Sequence, residues 1–485
     1  MSWWLLLNIL YGLVSFSLAI YALNSLYLLL LYRKSRGIHE IHKELEKLPF
    51  VTVQLPIFNE LSTIERLLRA VHSMDYPREL LQVQVLDDST DETTAHAQEI
   101  VNELRSDGLD IVMLHRSDRS GFKAGALKKG LKSAKGEFIA MFDADFVPSP
   151  DFLRSTLPVF FDPHVGCVQT RWTHLNRDYS LLTKIQALAL DGHFIVEQTA
   201  RSRNGLLMNF NGSAGIWRTA CIEDSGGWQA DTLTEDFDLS CRAQFKGWRI
   251  DYLPSVTVPA EIPPQMAAYK KQQARWARGS LQTLRKLFWP MMKSSLPIHV
   301  KIEGIIHLAH YLVHPLILML LILTLPMRLN PSPLFQWLPL FTFTALLPPL
   351  LFIFAAAPES PGWWQRFKLI PGLVLLGLGI SFNNSRAALQ GLFSSENGVF
   401  VRTPKFGPQK KGQYWTRGPY VLDGDLWIWG EALLSCYALI GILLPGNKPG
   451  SWSIPWLMIY SVGFAYVALM SILPLRSIRI SKNKP

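Results

Sequence analysis

The chain has 485 residues, 49% hydrophobic side chains and a net charge of +10, enough length for more than one domain. A basic balance of this size can signal nucleic acid. Here the cations cluster beside apolar stretches, at YRKSR (32–36) and RSIRISKNKP (476–485), the positive-inside pattern of a membrane protein, which argues against a nucleic-acid partner.

Residues 2–31 carry no charge and are long enough to cross a bilayer as a helix. The run is too long for a signal peptide, no basic residue precedes it, and no small-residue cleavage site follows before Arg33. Residues 1–31 are therefore expected to be a retained transmembrane anchor. Arg33, Lys34 and Arg36 place its end, and the following domain, on the cytosolic side. The cysteines Cys167, Cys221, Cys241 and Cys436 form no CxxC and no zinc spacing with His, so reduced thiols are expected there.

Residues 45–260 read as a soluble domain. Apolar, β-branched runs at 50–58, 82–88, 110–115 and 137–145 predict strands. Residues 59–74, with Asn59 or Ser62 near the start, 91–106 and 122–134 predict helices. The alternation implies an α/β fold, a mostly parallel sheet with helices on both faces, which binds ligands at the carboxyl ends of its strands. Two predicted strands end in acids, Asp87-Asp88 and Asp143 with Asp145. Two carboxylates one residue apart at a strand tip suit a hard divalent cation that could bridge to a diphosphate, although a solvated turn has the same composition. In RSDRSGFKAGALKKG (116–130), Gly121 and Gly125 permit close backbone approach, and Arg119 and Lys123 could meet phosphates at a helix start. A flexible basic loop is the plainer alternative.

In LTEDFD (233–238) the acids Glu235, Asp236 and Asp238 follow Thr234. A helix start capped by Thr234, with acids favoured by the dipole, accounts for them, and the same start can hold a catalytic base. His193 has no partner at metal spacing and reads as a packed or substrate-lining side chain. Residues 261–303 predict amphipathic helices on the membrane, with Trp276, Phe288, Trp289 and Met292 on the apolar side and Lys270, Lys271, Arg275 and Arg278 toward headgroups. Four spans are expected within 304–474, at 304–327, 334–356, 426–445 and 454–474. Residues 369–393 are read as interfacial or re-entrant. If they spanned, Arg402, Lys405, Lys410, Lys411 and Arg417 in the loop 394–425 and the basic tail 475–485 would lie outside, against the charge rule.

The motifs LDDSTD (86–91), DADF (143–146), FNGSAGIWR (210–218), TED (234–236) and QQARW (272–276) occur in this order. Over roughly residues 50–290 the chain resembles the processive family 2 glycosyltransferases with the D, DxD, D, QxxRW signature. QVLDDSTD, GFKAGALK, FDADF and HFIVEQ make it most similar to the cellulose-synthase-like enzymes that build β-mannan, glucomannan or β-glucan backbones. The resemblance implies a cytosolic GT-A-type nucleotide-sugar-binding domain joined to an α-helical transmembrane domain. It implies an inverting hexosyltransferase that takes GDP-mannose or UDP-glucose, extends a polysaccharide acceptor and passes it through the bilayer. A bacterial inner membrane or a Golgi membrane would suit it, as would a homo-oligomer or accessory subunits.

By the same resemblance Asp87 and Asp88 contact the nucleotide, Asp143 and Asp145 hold Mg2+ or Mn2+ against the diphosphate, and Asp236 is the general base with Glu235 supporting it. Gln272, Arg275 and Trp276 lie at the acceptor terminus, with Arg275 also within reach of the diphosphate. The loop FVRTPK (400–405) resembles the family's FxVTxK gating loop at Phe400, Thr403 and Lys405 and departs from it at Arg402. A non-processive enzyme adding one sugar to a lipid, and an inactive membrane scaffold or transporter, are the competing readings.

Overall fold

A computed structural model describes residues 3–35, 47–329, 344–356, 363–394, 398, 400–407, 420–422, 425–444 and 453–482. Seven strands form one sheet: β1 (Val51–Ile57), β2 (Leu81–Asp87), β3 (Asp110–His115), β4 (Phe138–Met141), β5 (Val165–His174), β6 (Gly215–Arg218) and β7 (Arg249–Ala260). Their order is β3-β2-β1-β4-β6-β5-β7. Every pairing is parallel except those of β6, which runs antiparallel to β4 and β5.

The four predicted strands are β1 to β4. The alternation VTVQL and LQVQV explains the central pair, because side chains two apart share a face. Val51, Val53, Leu55, Leu81, Val83 and Val85 enter one apolar core. The polar partners point the other way yet are also buried, so they pair with each other: Thr52 Oγ1 donates to Gln82 Oε1 at 2.9 Å and Gln54 Nε2 to Gln84 Oε1 at 3.0 Å. Unpaired, each would lose its water without compensation. The register sets Ile57 beside Asp87, so the ends of β1 and β2 open at one edge.

The named helices are α1 (Trp3–Ser35), α2 (Ile64–His72), α3 (Thr93–Ser106), α4 (Phe122–Leu131), α5 (Leu181–Asp191), α6 (Glu235–Phe245), α7 (Met266–Lys293), α8 (Ile298–Leu308), α9 (Val313–Leu329), α10 (Leu347–Ala356), α11 (Ile370–Gly379), α12 (Ser381–Phe393), α13 (Ile428–Leu443) and α14 (Ile454–Lys482). The helix expected over 59–74 starts later, at Ile64, because Asn59 sits at φ 55° and residues 60–63 make a turn first.

Three segments among the described residues are long and apolar enough to cross a membrane: Trp3–Ser35, His310–Leu329 and Ile454–Ile472. α13 is apolar but has 16 residues. The second expected span, 334–356, lies partly outside the described residues, as do Lys410, Lys411 and Arg417 of the loop and 483–485 of the tail. The stretch read as interfacial forms two runs, Trp363–Gly379 and Ser381–Phe393, bent by 48°, a shape that suits a re-entrant segment or a broken span. All four cysteines are free; three are buried and Cys436 is exposed.

α7 corrects one expectation. Lys270 does not face headgroups: it is buried, with Nζ 2.5 Å from Glu431 Oε1 on α13. Arg275 and Trp276 turn toward the sheet domain instead of lipid. The reason is that α7 is enclosed on two sides. A Cβ at Gly279 would lie 2.6 Å from Thr234 Cγ2, and one at Gly391 of α12 would lie 2.3 Å from the Arg278 carbonyl oxygen. Lys271 and Trp289 are exposed, as the amphipathic pattern requires.

A buried ion pair fastens the sheet domain to α8, Arg201 Nη1 lying 2.6 Å from Glu303 Oε2 with both side chains almost fully enclosed. Removing one partner strands the other charge, which costs about 3–5 kcal/mol. Arg201→Ala should therefore lower the thermal midpoint of the detergent-solubilised protein markedly, while Arg249→Ala, whose partners Asp162 and Asp251 are partly exposed, should shift it little; equal shifts in a thermal melt would contradict this.

Candidate active site

The acidic strand ends converge on one cavity of about 170 Å³. The tips of β1 and β2 bring Phe58, Glu60 and Asp88; the turn after β4 brings Asp143 and Asp145; α4 brings Lys123; Gly212 and Asn211 precede β6; α6 brings Glu235 and Asp236; α7 brings Gln272, Arg275 and Trp276. Phe400, Arg402, Thr403 and Lys405 form a further wall. All but one of the residues expected at the site therefore line it.

The exception is Asp87. Side chains of consecutive strand residues point to opposite faces. Asp87 accordingly turns away and is fully buried, accepting hydrogen bonds from Ser89 N and Thr94 Oγ1 and contacting His115 Nδ1 at 2.7 Å. It fixes the turn after β2 and does not line the cavity. Asp88 does, and its carboxylate is gripped by the Arg116 guanidinium at 2.5 and 2.6 Å.

The three acids of TEDFD have separate fates. Asp238 is fully buried, paired with Arg242 at 2.7 Å and Lys286 at 2.9 Å, so its work is structural. Glu235 and Asp236 face the cavity. Thr234 is not a side-chain cap: its hydroxyl bonds Thr283 Oγ1 at 3.1 Å, because α7 packs against it. Asp236 Oδ1 accepts from Phe237 N at 2.8 Å, leaving Oδ2 beside Gly212. Burial and the neighbouring Glu235 push its carboxyl up to about 7, against the pull of Lys123. Burial raises Glu235 also. This is where a base active near neutrality is expected.

Lys123 is at the centre of the charges. Its Nζ donates to Asp143 Oδ1 at 2.5 Å and to the Gly212 carbonyl at 2.7 Å. Burial opposes its ammonium, but Asp143, Glu235 and Asp236 more than offset this and hold it above the ordinary lysine value. Arg275 is depressed by burial, partly countered by Glu235 and Asp143; it donates to the Val401 carbonyl at 3.1 Å and lies 4.5 Å over the Phe400 ring. Arg119 lies 3.2 Å over the Phe58 ring. His193 is packed by hydrogen-bond-distance contacts to Glu197 and Asn211, both at 3.0 Å.

The loop is docked onto this machinery. Lys405 Nζ donates to Asp145 Oδ2 at 2.6 Å and to the Glu261 carbonyl at 3.0 Å. The amides of Phe406 and Gly407 donate to Glu261 Oε2. Arg402 pairs with Glu60 at 3.0 Å, donates to the Asn59 carbonyl and lies 4.1 Å over the Tyr420 ring. The departure from FxVTxK is thus a contact, not a loss.

Sequence reasoning missed Glu60, Glu261 and His174, all at the cavity wall. The first two follow strand ends, so the rule that found Asp88 reaches them once β7 is recognised. Burial pushes the Glu60 carboxyl up to about 7 in spite of Arg402. Burial lowers His174 to about 3, so its imidazole is neutral.

Residues 49–279 match the family model described as "Glycosyltransferase like family 2". They are a family 2 glycosyltransferase domain. The chain is 41% identical over 251 residues to glucomannan 4-beta-mannosyltransferase 2 of Arabidopsis thaliana, a match covering 51% of this chain and 47% of that protein. It is 40% identical over 251 residues to glucomannan 4-beta-mannosyltransferase 1 of Oryza sativa subsp. japonica, covering 51% and 48%. The chain thus spans about half the length of these relatives. Among solved structures, a mannosyltransferase from Pyrobaculum calidifontis in complex with GDP-Man and Mn2+ superposes with a TM-score of 0.56 at 21% identity, covering 80% of this chain and all of that one. The glycosyltransferase domain therefore has the GT-A-like fold.

Gly212 provides a test of this geometry. It sits at φ 82°, and a Cβ there would lie 2.7 Å from Asp236 Oδ2. Gly212→Ala should reduce sugar transfer by about 10²-fold, the scale of a small misplacement at a reacting centre, while circular dichroism stays as wild type. Gly205→Ala, at φ 64° with open space around it, should leave transfer unaffected in the same radiolabelled-donor assay.

Proposed function

We propose that the chain is a membrane-embedded inverting hexosyltransferase that extends a β-linked polysaccharide of the mannan or glucomannan type from GDP-mannose. The observation that carries this is Asp236, a carboxylate pushed up to about 7, facing across one cavity the acids of DAD and the QxxRW residues of α7. The names of the two plant relatives and the bound GDP-Man of the archaeal structure support mannose over glucose as the donor sugar.

The mechanism follows from the positions of the charges. A nucleotide sugar lies with its diphosphate among Lys123, Arg275 and the DAD turn, and its nucleoside toward Asp88, Phe58 and Arg119. The acceptor enters beside Gln272 and Trp276, whose indole face packs on the C–H face of a sugar. Asp236 removes the proton from the acceptor hydroxyl as that oxygen attacks the anomeric carbon. The bond to the diphosphate breaks on the opposite side, so an α-linked donor yields a β-linkage. Glu235 keeps Asp236 protonatable near neutrality by like-charge proximity, and Lys123 and Arg275 receive the charge of the leaving diphosphate.

Asp143 and Asp145 fit a divalent cation by the chemistry of their donors: both are carboxylates on one turn, both open into the cavity, and each carries a lysine ammonium, Lys123 or Lys405, where a cation is wanted. Mg2+ or Mn2+ held there would neutralise the departing diphosphate. Thr403 and Lys405 close over the donor end.

The helices at 3–35, 310–329 and 454–472, long and apolar enough to cross a bilayer, support a membrane location. Five spans, with 369–393 at the interface, agree with the packing of α12 along α7 at Gly391 and leave the glycosyltransferase domain cytosolic. Passage of the product through the spans accompanies that arrangement.

Three outcomes are expected. Asp236→Asn should lose about 10²–10⁴-fold in transfer, the range of a positioned general base, with donor affinity retained by calorimetry. Because the base must be ionised, kcat/KM should fall about tenfold per unit below the Asp236 pKa and level off above it; a cation at DAD favours the carboxylate, so that limb belongs at or below about pH 7. Incubation with GDP-mannose and Mg2+ should give a polymer cleaved by a β-mannan hydrolase. A glycolipid bearing one sugar would establish the single-transfer alternative instead.

A further inference from the structure

A second cavity, of about 250 Å³, lies on the far side of α7 from the catalytic one. Lys270, Lys271, Ala267 and Ala274 of α7 line one wall; Asn383, Arg386, Ala387 and Gln390 of α12 line another. Both sets follow the i, i+3, i+4, i+7 spacing of one helix face. Asp425 and Trp427 before α13 and Ser471 of α14 complete it. No step of the proposed reaction uses it.

Its charges are unequal. Lys270 is cancelled by buried Glu431. Arg386 lies 3.3 Å over the Trp427 ring. Neither Arg386 nor Lys271 has an ion pair among the described residues, and Asp425 is the remaining acid. One positive charge is in excess, facing a space walled by small alanines.

Its depth is marked by α13. Leu433, Ile440 and Leu443 are exposed apolar side chains, and Trp427 and Trp429 are exposed at the helix start. Tryptophans ending an apolar exposed helix mark the headgroup level of a bilayer. A guanidinium and an ammonium at that level suit a phosphodiester: the guanidinium offers paired N–H donors, and one negative charge balances the excess.

We propose that this cavity binds the phosphodiester of an anionic glycerophospholipid through Arg386 and Lys271. The lipid there bridges α7 to α12 and α13, on the opposite face of α7 from Gln272 and Arg275. The inference rests on the membrane reading of α9, α13 and α14, and that reading is checked separately by recovery of the chain in the carbonate-washed membrane fraction.

The test is native mass spectrometry of the detergent-released protein with phosphatidylglycerol, phosphatidylcholine or inorganic phosphate. Phosphatidylglycerol should form a one-to-one adduct that phosphatidylcholine matches less than one-tenth as well and that millimolar phosphate does not displace. Arg386→Gln with Lys271→Gln should weaken it at least tenfold, and Arg386→Lys should retain most of it. Asp425→Asn, which adds to the positive excess without removing a cation, should bind several-fold tighter, and serves if the double variant does not fold. Equal binding of phosphatidylcholine, displacement by inorganic phosphate, or affinities of the double variant or of Asp425→Asn within twofold of wild type would each overturn the proposal.

Discussion

The structure turns on keeping many buried charges neutral in one place. Asp88 and Glu261 have dedicated arginines, Arg116 and Arg66. That leaves five carboxylates at the cavity wall, Glu60, Asp143, Asp145, Glu235 and Asp236, facing five cations, Arg119, Lys123, Arg275, Arg402 and Lys405. Isolated buried charges are costly, so neither set is tolerable without the other. Two of the five cations, Arg402 and Lys405, arrive on the loop. Their combined charge equals that of one divalent ion. A cation complexed to a diphosphate carries little net charge, so it can enter this cavity without upsetting the balance that the protein has alone. The loop meets the acids of the cavity directly at one point, Lys405 on Asp145.

That balance also explains why a carboxylate in such surroundings can act as a base. If Asp236 were matched by its own arginine, as Asp88 is, its carboxyl would remain ionised but would be a poor proton acceptor. Instead it shares Lys123 with Asp143 and Glu235 and retains basicity near neutrality. Asp238, two residues on, shows the opposite solution: two cations hold it, and it serves packing. Identical side chains in one hexapeptide take different roles because the helix turns them to different neighbours.

Much of this was legible in the chain, and the limits are physical. The four predicted strands announced themselves as short runs rich in apolar, β-branched residues between helical stretches. Asp88, Asp143 and Asp145 were legible because such strands end at a ligand-binding edge. Asp87 was grouped with Asp88 by the family resemblance, but strand parity turns it away from the cavity that Asp88 lines. β5, β6 and β7 went unread: β6 has four residues, and β5 and β7 carry register shifts that break simple alternation. Glu261 was lost with β7. The Lys270–Glu431 pair joins residues far apart in the chain, and no local pattern reports such a partner. Amphipathicity showed that α7 has two faces, but not that protein covers both.

α7 is the element through which these parts act on each other. It has 28 residues, about 42 Å at 1.5 Å per residue, and successive residues turn about 100° around it. Gln272, Arg275 and Trp276 therefore face the first cavity while Lys270, Lys271 and Ala274 face the second. The close approach of Gly279 to Thr234 sets the helix against the start of α6, hence against Asp236. The close approach of Gly391 to Arg278 sets it against α12. A helix held by backbone-scale contacts on both sides cannot rotate without disturbing one of them. Whatever seats α12 must accordingly seat Trp276 across the cavity from Asp236, and the geometry of that cavity is mechanically continuous with the packing of the apolar helices.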